Sequence, residues 1–404
     1  MEVFTTQGKR VQSDEDFLSR IDSLAFAALS PFDDKVLNVL DDLSRKLMRS
    51  PLAGSAPQLV TLGFWLRRSQ LSAIKTRFMD TLNPDSVGTA RGVALHLPPQ
   101  NVDTLFVYSW ALSLLAGNVN VIRLPSEMTD VLVWLVDTVL ETLAAHDLAN
   151  TQIFCRYPHG SSLTAQLSER VDLRMIWGGD KKIRAVSRSS VRLDGVSLGF
   201  PDRKSFCVVS GPSYNAMTEA DRDVAAVQLY NDIYWFDQMG CGSPRVIFWL
   251  GSVTSELNDL CRRLDAIAEG KSYVVETGTA IEKFSYMNSQ LASAQAHTGT
   301  RFSNRLSVLH SDAGPTILNE VQGGGLLYGV KINEIIELAP YLNRQTQTIT
   351  HLGLTPDQIT SLANVMSQRG GFRLVPLGEA LSFADIWDGV NLISTMTRKI
   401  TVKL

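Results

Sequence analysis

The chain has 404 residues, 45% hydrophobic and 20% charged, with a formal net charge of −3, enough for two large domains, or one large and several small pieces, with a sizeable core. That charge balance provides no basic field for nucleic acid or an anionic membrane surface, so partners must be recognised at particular sites. The four cysteines, Cys155, Cys207, Cys241 and Cys261, form no CxxC pair, and the six histidines do not cluster with them. This pattern argues against a bound metal and for free thiols in a reducing, cytoplasmic compartment.

The opening residues, MEVFTTQGKRVQSDEDF, carry no apolar stretch of the kind a signal peptide needs. Residues 1–85 read as a helical N-terminal segment. Ser13-Asp14-Glu15-Asp16 caps a run through Phe17, Ile21, Leu24 and Ala28. Val36, Leu37, Leu40, Leu43 and Leu47 line one face of a second helix from Asp33 to Arg49, and a third apolar segment covers Leu59 to Met79. Asn83-Pro84-Asp85 is a turn and a natural boundary.

Residues 86–205 alternate strands with helices. The strands are expected at Val93–Leu97, Val119–Arg123, Gln152–Arg156 and Leu173–Trp177, with helices at Val102–Ala116 and Asp130–His146. Such β-α-β alternation predicts an open parallel sheet wrapped by helices, an α/β fold. Thr104 to Ile122 carries no charge over a length that could nominally span a bilayer. Gly117-Asn118 and Asn120 interrupt it, so it reads as a buried helix, a turn and a buried strand, with no membrane span. Residues 206–385 repeat the logic as a catalytic domain, with strands at Phe206–Ser210 and Arg245–Leu250 and helices at Glu219–Tyr230 and Ser255–Glu269. Residues 386–404 end in the alternating Lys399 to Leu404, an expected exposed or subunit-adding strand and hence an oligomerisation element for a homo-oligomer.

Three places could carry chemistry. In YWFDQMGCGSPRVIFWL, Cys241 lies between two glycines just before a core strand. Small neighbours and a turn expose a thiol and leave backbone donors near it, as a nucleophilic cysteine requires; a small buried residue in a tight turn is the plainer alternative. Pro98-Pro99-Gln100-Asn101 follows a strand at the sheet edge where ligands bind, where Asn101 serves either as a carboxamide donor or as a helix N-cap. Trp177-Gly178-Gly179-Asp180 is a strand, two glycines and a helix start, which admits a phosphate or a nicotinamide ribose or is an ordinary βα turn. No GxGxxG fingerprint occurs.

Together, and in this order, these segments resemble the aldehyde dehydrogenase superfamily. LPPQNVDTLFVYSWALSLLAGNVNVIRLPSE, from Leu97 to Glu127, is similar to its Pro-x-Asn turn, helix, Gly-Asn, strand and basic residue before Pro-Ser. Trp177-Gly178-Gly179 falls where the family has its nicotinamide turn. Phe236 to Pro244, FDQMGCGSP, resembles the acyl-CoA reductases of the LuxC type, as do Phe64-Trp65-Leu66-Arg67-Arg68 and, more loosely, Trp387-Asp388-Gly389. The resemblance implies an aldehyde-dehydrogenase-like fold with a Rossmann-type cofactor domain. It also implies reduction of an acyl-CoA or acyl-carrier-protein thioester to an aldehyde through an acyl-Cys241 intermediate, with Asn101 and the Cys241 backbone N–H holding the oxyanion. Gly178 and Gly179 are then expected at the nicotinamide end of the cofactor, Arg123 and Ser126 at its adenosine end. Neutral Ser126 beside cationic Arg123 favours NADPH, with NADH as the alternative. An acyl-activating enzyme is a further expected partner.

Oxidative members carry a glutamate in Leu-Glu-x-Gly-Gly-Lys, which activates water. Here Leu198 to Ser205 reads LGFPDRKS, without one, so an acyl-enzyme is expected to survive hydrolysis. The family's second ribose-binding glutamate has no assigned counterpart. A cysteine acyltransferase or thioesterase without nicotinamide, and a non-catalytic scaffold subunit, are the rival readings.

Overall fold

Two seven-stranded sheets organise the described residues. The computed structural model describes residues 1–403 apart from 25, 101, 252, 253, 313 and 319–321. The chain divides into two units, Met1–Pro201 with Phe383–Leu404, and Asp202–Ser382.

The first unit begins with strands β1 (Glu2–Thr5) and β2 (Gly8–Val11), then helices α1 (Asp14–Ser23), α2 (Asp34–Met48), α3 (Gln58–Trp65) and α4 (Arg68–Asp80). β3 (Ser86–Ala90), β4 (Val93–Leu97), α5 (Leu105–Leu115), β5 (Val119–Arg123), α6 (Asp130–Ala145), β6 (Gln152–Arg156), α7 (Leu163–Ser168), β7 (Leu173–Trp177), α8 (Asp180–Ser187) and β8 (Val196–Phe200) follow. The sheet order is β2-β1-β6-β5-β4-β7-β8. β1 runs antiparallel to both β2 and β6, while the run β6-β5-β4-β7-β8 is parallel from strand to strand. β4, β5 and β7 are buried at every position, as central parallel strands covered on both faces must be. The β1–β2 hairpin departs from the all-helical reading of the N-terminal segment. Its strands have four residues each, and β2 is exposed throughout, so neither shows a hydrophobic period.

Helix α5 is buried from Phe106 to Leu115, which explains why the charge-free stretch resembles a membrane span. Its axis ends at Gly117 (φ 88°), and no described helix is long and apolar enough to cross a membrane. Gly117 is packed beneath the chain after α1: Leu29 N–H donates to the Gly117 carbonyl at 2.8 Å, and Phe32 N–H donates to that of Leu115 at 2.7 Å. Asn118 accepts from the N–H groups of Arg91 and Gly92 and donates to the Met396 carbonyl, tying the sheet to the C-terminal segment.

Beneath the sheet lies a buried polar network. The Asn120 amide nitrogen is committed to Asn118 O and Gln152 Oε1. His96 Nε2 therefore donates to Asn120 Oδ1 (2.9 Å), and His96 Nδ1 accepts from Ser109 Oγ (2.8 Å). Trp177 and Trp110 donate their indole N–H groups to Ser109 and Gln152. Burial lowers the His96 pKa to about 4, so this histidine is a neutral structural bridge.

The second unit contains β9 (Lys204–Ser210), α9 (Gly211–Ala216), α10 (Glu219–Tyr234), β10 (Pro244–Leu250), α11 (Thr254–Gly270), α12 (Thr277–Ala292), β11 (Thr298–Arg301), β12 (Ser307–His310), β13 (Leu326–Ile332), β14 (Thr346–Leu352), α13 (Pro356–Arg369) and β15 (Arg373–Pro376). Its sheet order is β11-β12-β13-β10-β9-β14-β15, with only β11 antiparallel. The chain then returns to the first unit through β16 (Ile386–Trp387), β17 (Val390–Asn391), α14 (Leu392–Met396) and β18 (Thr397–Thr401). β18 pairs antiparallel with β3, Thr397 opposite Ala90 and Thr401 opposite Ser86.

A Cβ at position 117 would lie 2.2 Å from the Leu29 carbonyl oxygen, at a backbone angle that L side chains resist. Gly117→Ala is expected to cost at least about 2 kcal/mol, combining left-handed strain with overpacking. Denaturant unfolding of variant and wild type measures the loss.

Candidate active site

In the first unit, the chain leaves β4 in one direction along the sheet and β7 in the other. Ligands bind at such a switch point, outside the carboxyl ends of the strands. A cleft of about 720 Å³ opens there, lined by the Leu97–Gln100 turn, Arg123, His159, Gly178, Gly179 and Lys182 among others. The structure thus brings together the turn before Asn101, Arg123 and both glycines. Asn101 itself lies outside the described residues. Ser126 is exposed and is not among the lining residues; its carbonyl accepts from Arg156.

Arg123 is buried at the end of β5. It donates to the Tyr157 carbonyl at 3.1 Å and lies over the Tyr157 ring at 4.8 Å, while its Nε has no hydrogen-bond partner among the described residues. No ion pair to Glu127 or Asp130 occupies it among the described residues. Lys182, one turn into α8, donates to the carbonyls of Leu97, Pro98 and Trp177 at 3.0, 2.6 and 2.9 Å. The ends of β4 and β7 are therefore laced together by one ammonium. Burial, then the charge of Arg123, lowers the Lys182 pKa to about 8. Gly178 (φ 141°) leaves room for this arm, since a Cβ there would lie 3.0 Å from Lys182 Cδ. The described lining residues include no Asp or Glu. A cleft at the switch point, cationic and with an orphaned guanidinium N–H, fits an anionic dinucleotide.

In the second unit, Cys241 stands just before β10, at the amino edge of the sheet. Cys155, Cys207 and Cys261 are buried, and burial pushes their thiols up to about 12. Cys241 is the partly exposed thiol of the four, and so the one a substrate can reach.

The turn that carries Cys241 is held from several sides. Asp237 (φ 50°) and Gln238 (φ 62°) take left-handed conformations after α10. The fully buried Gln238 carboxamide donates to the carbonyls of Pro244 and Leu326 and accepts from the N–H groups of Gly325 and Leu326. Ser205 Oγ donates to the Cys241 carbonyl at 2.6 Å. A Cβ on Gly242 would lie 2.4 Å from the Ala380 carbonyl oxygen, so only glycine lets the segment after β15 approach so closely. That segment is anchored by Asp232 of α10, whose carboxylate oxygens accept from the N–H groups of Gly378 (2.8 Å) and Ala380 (2.9 Å). Burial pushes the Asp232 carboxyl up to about 7, against the two N–H donors that favour the carboxylate. Arg245 donates to the Gln322 carbonyl at 2.7 Å. Burial lowers its pKa to about 10, and its electrostatic interaction with Cys241 partly counters that. A cation beside a reachable thiol suits nucleophilic attack.

Sequence reasoning did not assign Gln238, Ser205, Arg245, Asp232, Lys182 or His159. Gln238 and Arg245 lie within the stretch that points to Cys241. Asp232 is visible as an acid among apolar helix residues, and Lys182 as a lysine one turn beyond a glycine pair.

The Acyl-CoA reductase (LuxC) family model matches residues 75–399. The long-chain acyl-protein thioester reductase of Aliivibrio fischeri is 26% identical over 267 residues, 64% of this chain and 53% of that protein. The protein of that name from Photorhabdus laumondii subsp. laumondii is 22% identical over 294 residues, 71% and 58% of the two chains. The chain thus spans little more than half the length of these curated relatives. Among solved structures, aldehyde dehydrogenase 21 from Physcomitrella patens, in complex with the reaction product succinate, superposes with a TM-score of 0.71 at 13% identity, covering 97% of this chain and 91% of that one. Glyceraldehyde-3-phosphate dehydrogenase GapN from Methanocaldococcus jannaschii, complexed with NADP, gives 0.68 at 13% identity, covering 97% and 95%. The fold is that of the aldehyde dehydrogenases.

Replacing Gln238 by Leu strands two buried N–H groups and two buried carbonyls. At about 1–3 kcal/mol for each group left unsatisfied, the variant is expected to lose roughly 3 kcal/mol or more. Thermal and denaturant unfolding check this.

Proposed function

The chain belongs to the LuxC family of acyl-CoA reductases, and from that premise we propose that it reduces an acyl thioester to an aldehyde, carrying the acyl group on Cys241. The observation that carries this reading is the reachable Cys241 thiol in its clamped Gly-Cys-Gly turn, with Arg245 nearby and the other three thiols buried. The absence of a glutamate from Leu198 to Ser205 supports an acyl-enzyme that outlives water.

Cys241 Sγ attacks the thioester carbonyl, and the oxyanion is received by the Asn101 carboxamide and the Cys241 N–H, as the family resemblance implies. The bond to the donor sulfur breaks, the donor leaves as a free thiol, and the acyl carbon remains bonded to Sγ. Bound NADPH supplies the hydride that reduces this carbonyl. The resulting thiohemiacetal loses Cys241 as the leaving thiolate and releases the aldehyde. The sum is acyl thioester, NADPH and a proton going to aldehyde, thiol and NADP⁺. Gly178 and Gly179 would border the nicotinamide end of the cofactor, and Arg123 would hold its adenosine end. The names of the relatives support a long-chain acyl group on a protein, and the family's description supports acyl-CoA as the small-molecule donor. An acyl-activating enzyme is the class of partner that loads such a donor. The β3–β18 ribbon, which bears exposed Val87 and Ile400, is the proposed contact with a second copy of the chain.

Cys241→Ser is expected to fold normally yet yield no aldehyde. Intact-mass measurement after incubation with mixed acyl-CoAs should show an acyl adduct on the wild type that NADPH discharges, and none on the variant. An adduct that persists in the variant overturns the assignment. Arg123→Ala is expected to weaken NADPH binding by about one to two decades, the worth of a charged hydrogen bond, and NADH binding by less. Calorimetry with each cofactor decides; equal losses remove the preference for NADPH.

A further inference from the structure

We propose that His159 is a ligand of the 2′-phosphate of NADPH and makes the binding of that phosphate proton-linked, an inference that rests on the cofactor reading above. His159 lies in the Tyr157-Pro158-His159-Gly160 turn between β6 and α7 and lines the same cleft as Arg123 and Lys182. Its residue is exposed, so it is available to a ligand, unlike the bridging His96. The turn is not independent of Arg123. The guanidinium is oriented by the carbonyl and ring of Tyr157, two residues before the histidine. One short segment therefore places both a guanidinium and an imidazole at the mouth of the adenosine end.

The charged groups that act on His159 are Arg123 from β5 and Lys182 from α8, which line the same cleft. The described lining residues supply no acid. Among the described residues, three basic groups therefore share one cleft without a counter-charge from its walls, and Arg123 Nε has no partner. The N–H donors of Lys182 serve three backbone carbonyls, so Lys182 contributes charge, while Arg123 and His159 can contribute contacts. A phosphate dianion is the chemistry that answers this arrangement. The 2′-hydroxyl of NADH brings no charge to it.

The linkage has a definite sign. In the free protein the charge of Arg123, then burial and Lys182, hold the His159 pKa below its ordinary value. A dianion beside the ring favours imidazolium and raises that pKa. Binding then takes up a proton, and affinity rises as pH falls through the bound-state pKa, levelling off below the free-state one. The phosphate itself, with a second pKa near 6, releases protons on binding, so the histidine contribution is the difference between wild type and His159→Gln.

The experiment is calorimetric titration of the full chain with NADPH, NADH, 2′,5′-ADP and 5′-AMP from pH 6 to 8.5, in buffers of different ionisation enthalpy. The wild type is expected to gain affinity for NADPH and 2′,5′-ADP on acidification, by up to about tenfold per pH unit, with net proton uptake relative to His159→Gln. The variant should bind both roughly tenfold more weakly at pH 6, with melting unchanged and NADH and 5′-AMP unaffected. A gain in affinity on acidification that is as large in His159→Gln as in the wild type, or one equal for NADPH and NADH, overturns the assignment of His159 and leaves the reductase reading standing. Failure of both dinucleotides to bind at any pH overturns both.

Discussion

The buried Gln238 carboxamide holds the end of α10 against the amino ends of β10 and β13, and the position of Cys241 follows from that attachment. Both its N–H groups are donated to carbonyls and its oxygen accepts from two N–H groups, so the side chain has one low-energy orientation. Asp237 and Gln238 both take left-handed backbone angles, a strain of order 1–3 kcal/mol per residue that persists only where surrounding bonds over-determine it. The carboxamide supplies those bonds. Ser205 and the segment held by Asp232 then clamp the turn from other directions. A nucleophile in a turn gains nothing from exposure if the turn wanders, and here the exposure of one thiol is bought with a dense set of buried hydrogen bonds.

The two units solve opposite electrostatic problems at opposite kinds of sheet edge. In the first, cations gather at the carboxyl ends of β4, β5 and β7, where one ammonium spans two strand ends and a guanidinium keeps an N–H with no partner among the described residues. In the second, a thiol is presented at the amino end of β10 near the partly buried Arg245. The carboxyl-edge rule for ligand sites describes the first arrangement and not the second. The backbone at the start of β10, relieved of side chains by Gly240 and Gly242, takes the place of a strand-end crevice.

The polar network of His96, Ser109, Asn120, Gln152 and the two tryptophans carries no titration into the working pH range, since burial holds His96 neutral. Its role lies in registration. It joins β4, β5, β6 and β7 to α5 through side-chain bonds that a purely aliphatic interface lacks. A partly satisfied network of this kind is costly, whereas a fully satisfied one specifies a single packing. The turns after β4 and β7 that form the cleft inherit their relative placement from it.

Much was legible from residue order. The strands at 93–97, 119–123, 152–156 and 173–177 match their observed bounds, because fully buried parallel strands are short, continuous apolar runs closed by turn residues. The family resemblance was legible because FDQMGCGSP and LPPQN are local strings, and local strings survive where distant sequence diverges. The hairpin at Glu2–Val11 was not legible, because four-residue strands on an exposed edge carry no period. Nor could sequence show that Arg123 rests on Tyr157, that Lys182 reaches back to Leu97, or that Asp232 holds Gly378 and Ala380. These partners lie 34, 85, 146 and 148 positions apart along the chain. Periodicity and local motifs report only on neighbours within a turn or a strand, so residue order determined which segments are strands, helices and reactive turns. Which side chains meet at the site was decided by strand order and loop packing, where burial leaves each polar group a single reachable partner.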